Sequence, residues 1–173
     1  MTAPEHGGAA LAAPGPFDPS DVSWTPVSRR LATARLTSAG ITVGITLVAT
    51  ALPAALSGVA WLWALPGVVL LCGVWAALLI PRQVRALAYA ERADDLLIRR
   101  GILLRSLVVV PYGRMQYVDV TAGPLARKFK IASVQLHTAA PGTNATIDGL
   151  PPEEAARLRD RLASRGEARL AGL

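Results

Sequence analysis

Residues 36–81 contain no charged side chain, and this gap constrains the fold more than any other feature of the sequence. A membrane hydrocarbon core of about 30 Å is crossed by roughly 20 apolar residues in a helix. The gap is too long for one crossing and has the length of two. Small and turn-forming residues, Ala-Ala-Leu-Ser-Gly, interrupt it at positions 54–58. The sequence therefore predicts a transmembrane helical hairpin over residues 29–85, with spans at about 36–56 and 61–80.

Arginines flank this hairpin on both sides, and its connection contains none. Three precede the first span and two follow the second: Arg29, Arg30, Arg35, Arg82 and Arg85. Positive residues beside membrane spans stay on the cytoplasmic side. We therefore expect a multi-pass protein of the cell membrane with both termini cytoplasmic. The alternatives are a buried hairpin in a soluble protein, or a signal peptide followed by one anchor. A signal peptide fits poorly because a second full span follows.

The charge distribution also narrows the function. The formal net charge of +6 comes almost wholly from arginine. No basic helix or aromatic stacking platform accompanies it, so we expect no nucleic-acid partner. The anionic lipids of the inner leaflet are the more natural acidic partner. Neither span contains Asp, Glu, Lys, Arg or His. Transporters and proton relays need such groups, which argues against transport.

Two glycines in the first span are the candidates for helix packing. Gly40 and Gly44 have the small-xxx-small spacing that lets helices approach closely. The nearest partner in a hairpin is the chain's own second helix, so we expect an intramolecular contact. A seam between two copies in a homo-oligomer is the alternative.

The remaining sequence predicts a small α+β domain between two tails. Residues 1–28 are rich in Ala, Pro and Gly without apolar periodicity, which indicates a disordered cytoplasmic tail. Segments typical of strands follow the hairpin at residues 95–100, 102–110, 115–121, 133–138 and 143–147. The dipeptide Arg100-Gly101 indicates a tight turn between the first two strands.

A helix is expected at the end of this domain. Two prolines and two glutamates at positions 151–154 suit a helix start. An apolar stripe follows: Ala155, Leu158 and Leu162. The arginines at 157, 159 and 161 are expected to stay solvated. The pattern predicts a curved sheet or open barrel over residues 86–165, plugged at one end by the helix, with a flexible tail at 166–173.

The sequence offers no clear catalytic or metal-binding constellation. The two histidines and the single cysteine are dispersed along the chain. A triad of Ser133, His137 and Asp119 is one alternative, but polar residues on the outer face of a sheet explain them better. Asp94-Asp95 is expected to end a membrane-proximal helix. We expect no enzyme, no cofactor, no metal and no small-molecule substrate.

Three segments together resemble bacterial pleckstrin-homology (PH) domains, in particular the group found behind paired membrane helices. They are Arg-Arg-Gly-Ile-Leu at 99–103 with Val-Pro-Tyr-Gly-Arg-Met-Gln at 110–116, the run from Gly123 to Leu136, and residues 147–158. Lys130 departs from this pattern, which has a glycine after the phenylalanine. The resemblance implies a PH-like domain at the cytoplasmic face of a bacterial inner membrane.

The candidate binding residues are basic. Arg127, Lys128 and Lys130 surround Phe129 and could press against an anionic bilayer or an acidic protein. A polar loop with Phe129 inside the barrel is the alternative. Eukaryotic PH domains often bind phosphoinositides at the first loop between strands. Further candidates near that loop are Arg99, Arg100 and Arg105, although a solvated strand edge explains them equally well.

Two functions follow from these expectations. The first is a membrane-anchored interaction module that recruits or stabilises a membrane protein, with exposed strand edges open to strand addition. The alternative is an anionic-lipid-binding or lipid-sensing domain that uses the basic residues.

Overall fold

The structure, a computed structural model, describes residues 22–139 and 144–170. Helix α1 spans Arg30–Ser57, and Gly58 ends it in the left-handed conformation with φ 68°. A 3-10 turn, Ala60–Trp63, leads directly into helix α2, Ala64–Arg85. Two helical segments are long and apolar enough to cross a membrane: Arg30–Ser57, with a mean hydropathy of 1.8, and Ala60–Arg85, which includes the 3-10 turn, with 2.2. The predicted helical hairpin is confirmed.

The seam between α1 and α2 brings a glycine of the second helix, Gly73, into close contact with the first. Val43 of α1 packs on Gly73 of α2, where an added Cβ would lie 3.1 Å from a Val43 methyl group. A Cβ added at Gly40 or Gly44 would meet nothing within 4 Å. Both glycines are exposed, and Gly40 lines a small cleft between the helices together with Gly73 and Ala77 of α2, so close packing at the predicted pair stays a prediction.

Seven strands in the described part of the chain form two antiparallel sheets. The first sheet has the order β1 (Thr25–Pro26), β2 (Ala88–Glu91), β3 (Asp95–Arg100) and β4 (Ser106–Pro111). The second has the order β5 (Met115–Thr121), β6 (Ala132–Thr138) and β7 (Ala145–Leu150). A short helix α3, Pro124–Lys128, connects β5 to β6, and helix α4, Pro152–Leu170, follows β7.

The sequence periodicity correctly assigns the interior of this domain. Along β6 buried and partly exposed residues alternate, as in a strand with one buried face, and Val134 and Leu136 point inward. The apolar stripe of α4 is fully buried: Ala155, Leu158 and Leu162 are each 0% exposed. The α+β fold with strands closed by a C-terminal helix is confirmed.

The hairpin and the domain share one hydrophobic core. Leu31 and Ala34 at the start of α1, and Val84 near the end of α2, are buried in the same cluster as the sheet residues. Leu31 lies against Gly149 of β7, where an added Cβ would be 2.6 Å from the Leu31 Cβ. Each membrane helix therefore continues into the domain that it carries.

The segment before the hairpin is ordered where the structure describes it, so the prediction of a disordered tail through residue 28 is wrong from residue 22 onward. Thr25 pairs with Tyr89 in the first sheet, and Val27 is buried. Ser28 donates its backbone N–H to the Gly149 carbonyl at 3.0 Å. Residues 1–21 lie outside the described residues.

Three other predictions need correction. The tight turn after Arg100 is a five-residue loop, 101–105, because β4 begins at Ser106. Asp94 does not end a helix, since it lies between strands β2 and β3. The tail expected from residue 166 is helical as far as Leu170 because α4 continues, and residues 171–173 lie outside the described residues.

Candidate functional site

A groove of about 540 Å³ lies where the hairpin meets the domain. Its lining comes from both membrane helices, from the loop between β3 and β4, and from β7. The residues that matter most are Arg35, Leu79, Gln83, Arg100, Leu103 and Leu104. Leu79 belongs to the predicted second span, so the groove lies beside the end of that span that meets the domain. Apolar and cationic side chains meet there, as they do at a membrane surface.

The loop 101–105 exposes two leucines at this groove. Leu103 and Leu104 are each 89% exposed. Gly101 makes the loop possible, because its φ is 95° and an added Cβ would lie 1.9 Å from the Leu104 carbonyl oxygen. Only glycine tolerates this combination without rearrangement. A tightly folded loop thus holds two adjacent apolar side chains out of the domain.

Arg100 and Arg35 supply the positive charge of the groove. Arg100 donates from Nη2 to the Thr146 carbonyl at 3.0 Å. Its Nε is buried and has no hydrogen-bond partner among the described residues. Arg35 donates from Nη2 to Asp148 Oδ2 at 3.0 Å, and both side chains are about a third exposed. The groove thus contains two guanidinium groups and one carboxylate, which is bound to Arg35.

The basic segment 127–130 lies next to α1, because α3 contacts that helix. Arg127, Lys128 and Lys130 are exposed, whereas Phe129 is partly buried against the core. The structure therefore shows the alternative with Phe129 packed inward. Lys130 has a φ of 52°, a left-handed conformation that glycine adopts without strain. This explains why a glycine is the expected residue there.

The other two candidate arginines do not join Arg100. Arg99 places its guanidinium 4.6 Å from the centre of the Trp24 ring. Neighbouring residues of a strand point to opposite faces, so Arg99 and Arg100 serve different surfaces. Arg105 is exposed at the end of the β3–β4 loop. The structure brings together Arg100 and Arg35, and sequence reasoning had assigned Arg35 only to membrane orientation.

A second ionic cluster, on Glu91 of β2, was missed because that strand was not predicted. Arg157, Arg161 and Arg165 of α4 place guanidinium nitrogens 3.1–3.7 Å from its carboxylate oxygens. Arg157 and Arg161 are exposed, as expected from the sequence, and are also paired with Glu91. The cluster joins α4 to the first sheet.

Two hydrogen-bonded groups next to this cluster have shifted pKa values. The Tyr89 hydroxyl donates to Glu154 Oε1 at 2.7 Å, and burial raises the Tyr89 pKa. Hydrogen bonds from Arg157 lower the pKa of the Glu154 carboxyl. The arrangement is typical of a structural contact between a helix and a sheet.

The polar residues considered as a catalytic triad lie on the outer face of the second sheet. His137 stacks on Tyr117 with ring centroids 4.2 Å apart, and its Nε2 is 3.8 Å from Asp119 Oδ2. Ser133 is four residues from His137 along β6, about 13 Å at the rise of a strand. No group of three His, Cys, Asp or Glu side chains suited to a metal ion occurs within the described part of the chain.

A pair of apolar helices continuing into two antiparallel sheets, closed by a C-terminal helix, defines a membrane protein with a PH-like domain. Residues 38–166 match the bacterial PH domain, and the chain belongs to this family. It is 36% identical over 105 residues to UPF0699 transmembrane protein YdbS of Bacillus subtilis (strain 168). The alignment covers 60% of this chain and 65% of that relative. No solved structure matches the chain. The predicted family and membrane location are confirmed.

Proposed function

We propose that the protein is an interaction module that holds its PH-like domain at the cytoplasmic surface of the membrane and recruits or stabilises a membrane protein there. The shared core carries this proposal. Because Leu31, Ala34 and Val84 are buried in the domain core, the domain is fixed on its helices rather than tethered to them. A fixed domain presents the same surface, at the same height, to every neighbour in the bilayer.

The pairing of β1 with β2 supports the hairpin topology. β1 precedes the hairpin and β2 follows it, yet Thr25 and Tyr89 are register partners. Two segments in one sheet lie on one side of a membrane, which favours two spans. The flanking arginines favour the cytoplasm for that side. A membrane-impermeant thiol reagent tests this in intact cells: Ser57→Cys should react from outside, and Ala93→Cys should not, both with Cys72→Ser.

The open strand edges are the surface that we assign to the partner. Among the described strands, β4 pairs only with β3 and β5 only with β6. Apolar side chains on these two strands are exposed: Val109 by 44%, Tyr117 by 53% and Val120 by 36%. An extended cytoplasmic segment of a membrane protein can add a strand at such an edge.

Site-specific crosslinking in cells tests this surface. A photoreactive amino acid at Val109 or Tyr117 of the full-length protein should give a discrete adduct. The same residue at Ala163, on the exposed side of α4, is the control and should give none. Equal adducts from all three positions would refute the edges as the site. A full-length protein that repeatedly purifies alone and monodisperse in mild detergent would refute partner recruitment itself.

Lipid sensing is the second candidate, and one observation favours it. α3 contacts α1, so the exposed cations Arg127, Lys128 and Lys130 lie beside a membrane helix. Each cation near an anionic surface contributes about 1 kcal/mol. Charge reversal at Lys128 and Lys130 should lower the fraction of anionic lipid that copurifies with the full-length protein. Reversal at Arg114 and Arg159 is the matched control, and an equal effect of both pairs would refute a specific lipid contact.

A further inference from the structure

We infer that the edge of β5 binds the cytoplasmic segment that directly follows a membrane helix of a different protein. This segment pairs with β5 as an antiparallel strand and places a lysine or arginine opposite Asp119. The pairing rests on the function proposed above, since it specifies which segment of the recruited membrane protein binds and in which direction.

Of the two open edges, β5 is the better suited to accept a strand. Among the described strands it pairs only with β6, and its residues 119–121 are all exposed. Residues 117–121 contain neither proline nor a basic residue, the side chains that commonly protect a strand edge from association. β4 instead ends with Pro111, which has no N–H to donate to an added strand.

The direction of β5 decides which kind of segment fits its edge. Its last residue, Thr121, lies level with the end of β7 across the sheet, and Gly149 at that end packs on Leu31 of α1. β5 therefore ends beside the membrane helices, so a strand antiparallel to it begins there and leads away from them. A segment that follows a membrane helix has this direction. A segment that precedes one would have to pair in parallel, which is slightly less stable.

A second copy of this chain does not fit the same edge. Two β5 strands in an antiparallel pair would place the membrane helices of the two copies at opposite ends of that pair, so both copies could not lie in one bilayer. The segment of this chain that follows its own second helix is β2, which already pairs with β1 and β3. The occupant is therefore a different membrane protein.

The edge also lies within reach of a segment that leaves the bilayer. Leu31 precedes the expected start of the first span at position 36 by five residues, about 7.5 Å along a helix. A strand rises about 3.4 Å per residue. The segment thus reaches the level of Thr121 after about two or three residues, and that of Asp119 about two residues later.

The charge of the edge matches such a segment. The cytoplasmic flanks of membrane helices are rich in lysine and arginine. The Asp119 side chain is 56% exposed, and its ion-pair neighbour in the described part of the chain is His137, whose Nε2 is 3.8 Å from Asp119 Oδ2. A cation directly opposite Asp119 on an added strand would form a stabilising cross-strand pair.

Site-specific crosslinking in cells tests the direction of the added strand. A photoreactive amino acid replaces Tyr117 or Thr121 in the full-length protein, and each adduct is digested and mapped by mass spectrometry. The Thr121 adduct should lie nearer to the end of the partner's membrane helix than the Tyr117 adduct, by about four residues. The reversed order, or adducts on a segment that precedes a membrane helix, would overturn the pairing and leave partner recruitment intact.

The remaining outcomes of this experiment separate the pairing from the proposed function. An adduct between two copies of this chain would overturn a different protein as the occupant. The absence of adducts from a protein that copurifies with a partner would overturn the β5 edge alone. The absence of adducts from a protein that purifies alone would refute recruitment, and the pairing with it.

Charge reversal tests the cation opposite Asp119. Asp119→Lys should lower the yield of the Thr121 adduct about fivefold, because two cations would then face each other across the pair. Asp119→Asn removes the charge without reversing it and should give an intermediate yield. Asp160→Lys makes the same charge change on the exposed side of α4 and should leave the yield unchanged. Equal yields from Asp119→Lys and Asp160→Lys would overturn the charge match.

Discussion

Gly149 is the residue whose substitution should most directly separate the hairpin from the domain. An alanine there would adopt φ 78°, which costs a non-glycine residue about 1–2 kcal/mol. Its Cβ would also lie 2.6 Å from Cβ and 2.8 Å from Cδ2 of Leu31. Overpacking of this kind costs about 1–3 kcal/mol. We therefore expect Gly149→Ala to lower the free energy of unfolding by about 2–5 kcal/mol.

Thermal unfolding of the full-length protein in detergent, followed by intrinsic fluorescence, measures this effect. Each kcal/mol shifts the midpoint of a domain this size by about 4–8 °C, so a drop of about 10 °C or more is expected. Gly123→Ala is the matched control. Gly123 has φ −67° and open space around a Cβ, so that variant should cost less than about 1 kcal/mol.

A double-mutant cycle with Leu31→Ala identifies the cause. The shortened side chain removes the Cγ and Cδ2 contacts but leaves the Cβ contact, so the clash should be relieved in part. We expect the two substitutions to couple by about 1 kcal/mol or more. The Ser28 amide, which donates to the Gly149 carbonyl, should also exchange its hydrogen faster in Gly149→Ala. Additive effects, or a midpoint like that of Gly123→Ala, would refute close packing at this junction.

Three further predictions concern strain, protonation and the shared core. Lys130→Gly should raise the free energy of unfolding by about 1 kcal/mol, because φ is 52° at that position and glycine adopts it without strain. Lys128→Gly, inside α3, should lower the free energy of unfolding. Chemical denaturation of both variants checks the two signs. The pKa of Glu154 is lowered in the folded state. Its ionised carboxylate therefore stabilises the folded protein above the unfolded pKa of about 4.5, and this stabilisation is lost as the pH falls through the folded pKa. Glu154→Gln should therefore lose less stability than the parent protein between pH 5 and pH 3, as judged by unfolding midpoints, and parallel curves would contradict this. A fragment of residues 82–173 lacks β1 and the buried Val27, Leu31 and Ala34. We therefore expect this fragment to show no cooperative unfolding transition. A sharp transition would show that the domain folds without the hairpin.

The parts of the fold that could be predicted are those with a local signal. The charge gap located both membrane helices, and the bounds expected for two strands, 95–100 and 115–121, agree with β3 and β5. Strands β1 and β2 were missed because they are short, with two and four residues, and their pairing joins positions on opposite sides of the hairpin. Short segments of this kind carry too little periodicity to be recognised.

The groove could not be predicted for a related reason. Arg35, Leu79, Arg100 and Asp148 are widely separated in the sequence, and only tertiary packing brings them together. The presence of Arg35 was already explained by its position beside the first membrane span. Nothing in the sequence indicated that Asp148 would lie next to it. The exposed leucines at 103 and 104 led to a wrong strand boundary, because apolar residues next to β-branched ones are typical of a strand.

Pairing across the hairpin also sets an order on biosynthesis. β2 leaves the ribosome only after both membrane helices have been made, so β1 must wait for its partner until the hairpin has been synthesised. A chain whose second helix failed to insert would leave the two strands on opposite sides of the bilayer, and the first sheet could not form. The domain core can therefore form only in a chain whose two helices have both inserted into the membrane. A wrongly inserted chain would expose unfolded apolar segments to the proteases of the cell.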